Sequence, residues 1–176
     1  MQHIIFDLEA TCWAHRIPMN DMEIIEIGAV KLNEDFSFIG EFSSFVKPII
    51  NPVLSDFCKK LTTIKQTDVD AAEDFKIVFP KFLNWIGNET FTLHSWGIYD
   101  IKQITIDCVR HNLFFPESFK NHINLKQRFS AEYKIKPCGM HNALNKLGFN
   151  LDGVHHRGID DAKNIAKIAQ VLLGEK

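Results

Sequence analysis

The sequence has no closely spaced cysteines, no long apolar run and no strong excess of either charge. Its four cysteines, Cys12, Cys58, Cys108 and Cys138, include no CxxC pair. This spacing does not support a zinc ribbon or a thiol redox motif, and we expect buried free thiols instead. No stretch approaches the ~20 apolar residues of a membrane span, and residues 1–20 lack a signal-peptide pattern. We therefore expect a cytoplasmic protein with no membrane partner.

Charged residues are unevenly distributed, although the formal net charge is only −2. Residues 1–35 contain seven acidic and two basic side chains, whereas residues 120–136 contain five basic and one acidic. A net negative charge argues against a polyanionic partner. However, a metal-loaded acidic centre beside a basic rim suits the end of a nucleic acid. An ordinary solvated face explains any single one of these lysines equally well.

Apolar and β-branched runs predict the strands of an α/β fold. The first three strands should form an antiparallel meander, and the later ones should be parallel and separated by helices. We expect one domain over residues 1–176, with a mixed five-stranded sheet (three antiparallel strands, then two parallel ones) flanked by helices. The predicted strands lie at 3–10, 22–32, 36–48 and 91–96, with a short strand or turn near 122–125.

Helical spacing of apolar residues predicts the remaining elements. Thr63 and Gln66 match a capping box, and Pro80 lies where it would kink the helix around it. Gly148 and Gly174 are predicted helix stops. The predicted helical segments are 61–87, 100–112, the residues following 125, 139–148 and 159–173.

Acidic side chains at three separate places predict a site for hard divalent cations, which prefer oxygen ligands. Asp7 and Glu9 are two residues apart on the first predicted strand, so they share one face. Two like charges on an otherwise apolar strand are awkward to bury, and a cation between them removes that difficulty. Solvated acids at an exposed strand end are the alternative.

Asp100 and Asp161 each lie at the start of a predicted helix, where structural roles are common. An N-cap explains the first, and the helix macrodipole favours a carboxylate at the second. Asp160 could serve the macrodipole equally well. His156, on the loop that enters the last helix, favours Asp161 because it can face the same centre. Together, four carboxylates and one histidine predict a two-metal centre that cleaves phosphodiester bonds.

Asp-x-Glu on the first strand, an Asp near the middle and His-x-x-x-x-Asp near the end resemble the motifs of the DEDDh 3′-5′ exonucleases, which have a ribonuclease-H-like fold. The tyrosine-type sister group has Tyr four residues before the last Asp, where this chain has Arg157. Four longer segments are similar to the branch that trims 3′ ends of histone mRNA and small interfering RNA, which has bacterial homologues. They are FDLEATCW, EIIEIGAVKL, FVKPIINPVLSDFCKKLTTIKQTDVDAA and HHRGIDDAKNIAKI.

The resemblance implies a chemistry for the five residues. Asp7, Glu9, Asp100 and Asp161 would bind two Mg²⁺ or Mn²⁺ ions, and His156 would accept a proton from the attacking water. His155 has the wrong spacing to match. The implied reaction releases nucleoside 5′-monophosphates from single-stranded 3′ ends, with RNA favoured and DNA possible.

Seven further residues are predicted to contact the nucleic acid. Those directly after Glu9 would hold the terminal sugar, and a tryptophan would stack on a base. The resemblance implies that two apolar residues of the LSDFCKKLTTIKQ segment act as base wedges. Core packing is the alternative for the tryptophans and for these two residues. The seven are Ala10, Thr11, Cys12, Trp13, Leu61, Ile64 and Trp96.

Two other functions remain as alternatives. The first is a proofreading-type DNA exonuclease. The first-strand motif does not distinguish it from an RNA-trimming enzyme, because many DEDDh enzymes accept both sugars. The KPIINPVLSDFCKKLTTIKQ segment favours RNA trimming. A catalytically silent nucleic-acid-binding module is disfavoured because all five residues are present. The nucleic-acid 3′ end is the expected partner, and the lone domain indicates either broad specificity or an additional protein partner.

Overall fold

A computed structural model describes residues 1–174, and its centre is a mixed five-stranded sheet. The strands are β1 (Gln2–Ala10), β2 (Ile24–Leu32), β3 (Phe38–Phe45), β4 (Phe91–Ser95) and β5 (Ile123–Asn124). They are ordered β3-β2-β1-β4-β5. The pairs β1–β2 and β2–β3 are antiparallel, whereas β1–β4 and β4–β5 are parallel. The predicted fold class is therefore confirmed.

Seven α-helices are present within the described residues, together with 3₁₀ turns at Met19–Asp21 and Glu117–Asn121. None of these helices combines the length and the apolar character that crossing a bilayer requires. The helices are α1 (Asp56–Thr62), α2 (Gln66–Asp70), α3 (Phe75–Ile86), α4 (Tyr99–Arg110), α5 (Leu125–Glu132), α6 (Met140–Leu147) and α7 (Gly158–Leu173).

The two faces of the sheet bury separate cores because successive side chains of β1 alternate between them. Ile4, Phe6 and Leu8 pack with the apolar side chains of α3 and α4. Ile5 packs on the other face, with side chains of α5, α6 and α7. By the same alternation, Asp7 and Glu9 extend from the face that α7 covers.

A pair of glycines brings the start of α7 against the sheet. A Cβ atom built on Gly28 of β2 would lie 2.0 Å from the carbonyl carbon of Gly158. No side chain fits in that space, so glycine at position 28 permits the backbone of α7 to approach β2. The carbonyl oxygen of Asp7 lies 3.1 Å from the equivalent position on Gly158. The first turn of α7 therefore lies beside the acidic end of β1.

The structure resolves three local predictions about helix ends and helix continuity. The predicted Thr63–Gln66 capping box is wrong: Thr63 ends α1 in the left-handed region (φ 61°), and Lys65 precedes α2 with its N–H donating to Asp68. Asp100 is not an N-cap but lies in the first turn of α4, which follows Ile98. The helix α3 continues through Pro80.

Candidate active site

Three carboxylates from two elements meet at the carboxyl end of β1. One oxygen atom each of Asp7, Glu9 and Asp161 lies within 4.8 Å of the other two. Asp161 is 4% exposed in the first turn of α7. Asp160 instead accepts a hydrogen bond from the N–H of Val154 at 2.9 Å. The structure thus brings Asp161, and not its neighbour, to the acidic cluster.

Asp100 joins this group from α4. Its side chain is 5% exposed, and its Oδ1 accepts a hydrogen bond from the N–H of Leu8 at 3.2 Å. All four predicted metal ligands line one cavity of about 480 Å³. Four carboxylates, drawn from three elements far apart in sequence, therefore face a single space.

Burial and mutual repulsion perturb these acids. Burial raises the pKa of Asp7 well above its usual range, and the nearby Asp100 and Glu9 raise it further. Burial also raises the pKa of Glu9 to about 9, with Asp161 adding to the effect, and that of Asp100 to about 6. Within residues 1–174, no lysine or arginine forms an ion pair with any of the four. A set of oxygen ligands without a compensating cation fits a hard divalent metal ion.

Both histidines of the HHR segment lie against Asp161. The Nδ1 of His155 is 3.0 Å from each carboxylate oxygen of Asp161. The main-chain N–H of His156 donates to Asp161 Oδ2 at 3.0 Å. The two imidazoles are stacked, with centroids 4.0 Å apart, and both line the cavity. Burial lowers the pKa of His156, and His155 lowers it further, so the ring is neutral at neutral pH.

Comparisons with known proteins decide the family. The model of the Exonuclease family matches residues 4–169. The nuclease domain of 3′hExo, a DEDDh family member solved with bound rAMP, aligns with a TM-score of 0.92 at 36% identity, covering 98% of this chain and 91% of that one. This chain belongs to the DEDDh exonuclease family. The family and the ribonuclease-H-like fold predicted from the motifs are therefore confirmed, and with them dependence on a divalent metal ion.

Curated relatives of this chain are longer proteins. Human 3′-5′ exoribonuclease 1 is 37% identical over 179 residues, which cover 96% of this chain and 51% of the human protein. ERI1 exoribonuclease 2 of Danio rerio is 33% identical over 192 residues, which cover 97% of this chain and 34% of that protein. The chain thus spans about half of the first relative and about a third of the second.

Four of the seven predicted substrate contacts line the cavity that holds the acidic cluster: Ala10, Cys12, Leu61 and Trp96. The indole N–H of Trp96 donates to the carbonyl of Cys138 at 3.0 Å, and its ring packs against Phe129. These contacts fix the tryptophan at the edge of the cavity while one part of it stays accessible. This placement makes the four residues available to a bound nucleotide.

The other three predicted contacts lie elsewhere. Thr11 is 2% exposed, and its hydroxyl accepts a hydrogen bond from the N–H of Glu23 at 2.9 Å. Ile64 is 1% exposed and packs in a small core with Leu54 and Val69. Trp13 is partly buried and is not among the residues that line the cavity. For Ile64 the structure thus shows the packing role that was the alternative to base contact.

Several residues that line the cavity were not predicted from the sequence. Tyr99 donates its hydroxyl to Met22 Sδ at 3.2 Å, and both residues line the cavity, as do Gly139 and Met140. Burial raises the pKa of Tyr99 above its usual range. Its position directly before Asp100 was the available signal. The methionines have no chemical signature that distinguishes them from core residues.

Proposed function

We propose that this protein is a metal-dependent 3′-5′ exonuclease that releases nucleoside 5′-monophosphates from single-stranded 3′ ends, with RNA as the favoured substrate. The observation that supports it is the acidic cluster, with Asp7, Glu9 and Asp161 within 4.8 Å and Asp100 in the same cavity. The human and Danio rerio relatives are exoribonucleases, which favours RNA. Residues 1–176 would act as one exonuclease domain.

Asp7, Glu9, Asp100 and Asp161 would hold two Mg²⁺ or Mn²⁺ ions. When bound, such ions supply positive charge that stabilises the phosphodiester as it reacts, and they make water more acidic. The protein contributes a preformed set of ligands, since each acid comes from a regular strand or helix. Asp7 is central to the set because Asp100, Glu9 and Asp161 all act on its carboxylate.

His156 would act as the general base. A base must be unprotonated at the working pH, and burial of this imidazole lowers its pKa below the usual 6.5. The hydrogen bond from its main-chain N–H to Asp161 ties it to a proposed metal ligand. Removing a general base typically lowers a rate by about 10²–10⁴-fold.

The cavity, at about 480 Å³, is in the range of small-molecule sites and would accept a terminal nucleotide. Ala10 and Cys12 lie next to Glu9 and would contact the sugar, whereas Leu61 and Trp96 offer apolar surface for the base. Stacking on an aromatic ring tolerates any base. Thr11 and Ile64, which are buried, would act indirectly by supporting the fold around these residues, and Trp13 stays a predicted base contact.

The test is a gel assay with 5′-labelled single-stranded RNA and DNA of one sequence, in Mg²⁺, Mn²⁺ or EDTA. We expect a metal-dependent ladder that shortens from the 3′ end and is absent in Asp7→Ala. We expect His156→Ala to lose about 10²–10⁴-fold in rate, with a smaller loss for the matched control His155→Ala. The faster nucleic acid identifies the preferred sugar.

Tight binding without cleavage in either metal would reject the enzyme and support the silent binding module. A larger loss in His155→Ala than in His156→Ala would exchange the two roles. A cytoplasmic location and a protein partner stay predictions from the sequence.

A further inference from the structure

Glu26 is a fifth buried acid beside the proposed metal centre, and its oxygens are already occupied. It is 0% exposed and lies opposite Glu9 in the β1–β2 ladder. Its carboxylate accepts hydrogen bonds from Arg157 Nε at 3.2 Å, from Arg157 Nη2 at 3.0 Å and from the N–H of Gly158 at 2.9 Å. Among the described residues, the charge of Glu26 is therefore balanced by Arg157, unlike that of the four proposed metal ligands.

The partner of Glu26 is the residue that follows the proposed base. Arg157 connects His156 to the first residue of α7, and its guanidinium also lies 5.2 Å from the centroid of the Phe45 ring. Glu26 therefore holds both the side chain of Arg157 and the main chain of Gly158. These contacts attach the two residues that follow His156 to β2.

The residue next to this ion pair, His156, has a strained backbone. His156 has φ +64°, in the left-handed region that side-chain-bearing residues seldom adopt. Such a conformation persists only where surrounding contacts impose it. Three contacts restrain this residue: Asp161, which accepts the N–H of His156, the stacked ring of His155, and the Glu26–Arg157 pair. His155 itself contacts Asp161, so only the Glu26–Arg157 pair makes its side-chain hydrogen bonds without a proposed metal ligand.

We propose that the Glu26–Arg157 ion pair is a positioning device that holds His156 in its left-handed conformation, so that its imidazole stays in the cavity during the chemical step. This inference rests on the proposed function. Removal of the pair would delete none of the four proposed metal ligands and no residue that lines the cavity, but it would let the base move. Displacement of a catalytic group by about 1 Å costs up to ~10²-fold in rate.

The test is a double-mutant cycle between the ion pair and the base. Glu26→Gln with Arg157→Gln removes both charges together, so no unpaired charge is left buried. We expect kcat on single-stranded RNA to fall about 10- to 100-fold, with KM changed less than about twofold. In a His156→Ala background, the same pair of substitutions should lower kcat by less than about threefold. Arg157→Lys, which keeps the charge but not the two-point contact, should show an intermediate loss.

A matched control is available on the same helix. Lys163 forms an exposed ion pair with Glu41 at 2.8 Å, and Lys163→Met should leave kcat unchanged. The NMR signal of the His156 ring, assigned by its absence in His156→Ala, should shift in the Gln–Gln variant and in Arg157→Lys but not in Lys163→Met. This measurement does not depend on activity.

The outcomes separate the two proposals. An inactive wild-type protein would reject the proposed function and this inference with it. An active wild type in which the Gln–Gln substitutions lower kcat equally in both backgrounds would reject only the positioning role and show a general structural effect. A rise in KM at unchanged kcat would also reject it. If the Gln–Gln variant does not fold, Arg157→Lys decides through the same cycle.

Discussion

Glu9 and Glu26 face each other across β1 and β2, and only Glu26 is neutralised by a cation. Arg157 pairs with Glu26, whereas within residues 1–174 no lysine or arginine forms an ion pair with Glu9. Like charges directly opposite on paired strands are destabilising. Burial raises the pKa of Glu9 to about 9, and Asp161 and Glu26 add to the effect. The two carboxylates therefore differ in availability: one is committed to the fold, and the other is free to bind a metal ion.

The first prediction is that divalent cations stabilise the protein. A ligand at about 100 times its Kd adds about 2.7 kcal/mol to the free energy of unfolding, which raises Tm by roughly 5–11 °C for a domain of this size. Mg²⁺ or Mn²⁺ should produce this shift relative to EDTA in differential scanning fluorimetry. Asp7→Asn removes a ligand and a repelling charge, so it should raise Tm in EDTA and abolish the metal shift.

Glu41→Gln is the control for the loss of one negative charge, because Glu41 is an exposed partner of Lys163 far from the acidic cluster in sequence. It should retain the full metal-induced shift. An equal shift in wild type and Asp7→Asn would mean that the ions act elsewhere on the surface.

The second prediction separates Leu61 from Ile64. Ile64 is 1% exposed in a core with Leu54, Cys58 and Val69. Ile64→Ala should lower the free energy of unfolding by about 2–5 kcal/mol because it leaves a cavity. Leu61 is 36% exposed and lines the cavity with the acidic cluster, so Leu61→Ala should lower the free energy of unfolding by less than about 1 kcal/mol. Its KM for single-stranded RNA should rise instead.

Urea unfolding and steady-state kinetics on the same two preparations measure both effects. If Leu61→Ala destabilised the fold as much as Ile64→Ala, or left KM unchanged, then Leu61 would be a core residue without a substrate contact.

These two residues show where prediction from the sequence reaches its limit. Strand alternation is enough to place Asp7 and Glu9 on one face, and the spacing to His156 is enough to favour Asp161. Leu61 and Ile64 are both apolar and three residues apart, so their sequence positions do not distinguish cavity from core. The left-handed Thr63 between them changes the direction of the chain. Threonine rarely adopts the left-handed conformation, so the local sequence does not predict this turn.

The Glu26–Arg157 pair was also beyond sequence reasoning, for a different reason. Its members are 131 residues apart. Each reads as an ordinary charged residue, Glu26 in an apolar strand and Arg157 in a loop. The close approach of Gly28 and Gly158 places the start of α7 beside β2, where the pair forms, and two glycines so far apart carry no local signal. Tertiary packing thus supplies the part of the site that patterns do not encode.

The third prediction concerns that close approach. Gly28→Ala would put a Cβ atom 2.0 Å from the backbone of Gly158, where no flexible side chain can yield. We expect a loss of about 3 kcal/mol in the free energy of unfolding, at the upper end of the usual cost of overpacking, because backbone cannot yield as a side chain can. Gly40→Ala is the matched control on the neighbouring strand, because the nearest atom to its Cβ is 4.0 Å away in Trp85. Equal stability of the two variants in urea would contradict the observed packing.

The last prediction begins with a buried histidine on the strand next to β1. His94 is 0% exposed, and its Nε2 lies 3.1 Å from Nδ1 of His3. Its own Nδ1 has no hydrogen-bond partner among the described residues. Burial lowers the pKa of His94 to about 3, with His3, His122 and Arg128 adding to the effect. The folded protein therefore keeps this ring neutral in mildly acidic solution.

The effect of pH on stability follows from the difference between the pKa of His94 in the folded protein and in the unfolded chain. In the unfolded chain His94 takes up a proton near pH 6.5, but in the folded protein it does so only near pH 3. Above pH 6.5 both states are neutral and the residue contributes no pH dependence. Below it, the unfolded state gains a proton first, so stability falls as the pH falls, by about 1.4 kcal/mol per pH unit.

His94→Leu should therefore show a shallower dependence of the free energy of unfolding on pH than wild type between pH 6 and pH 4, by about that amount per pH unit. Urea unfolding in EDTA measures this, because the acidic cluster contributes equally to both proteins and cancels in the difference. His141→Leu, at an exposed position on α6, is the control and should run parallel to wild type. Parallel slopes for His94→Leu and wild type would show that the folded protein admits a proton at this site.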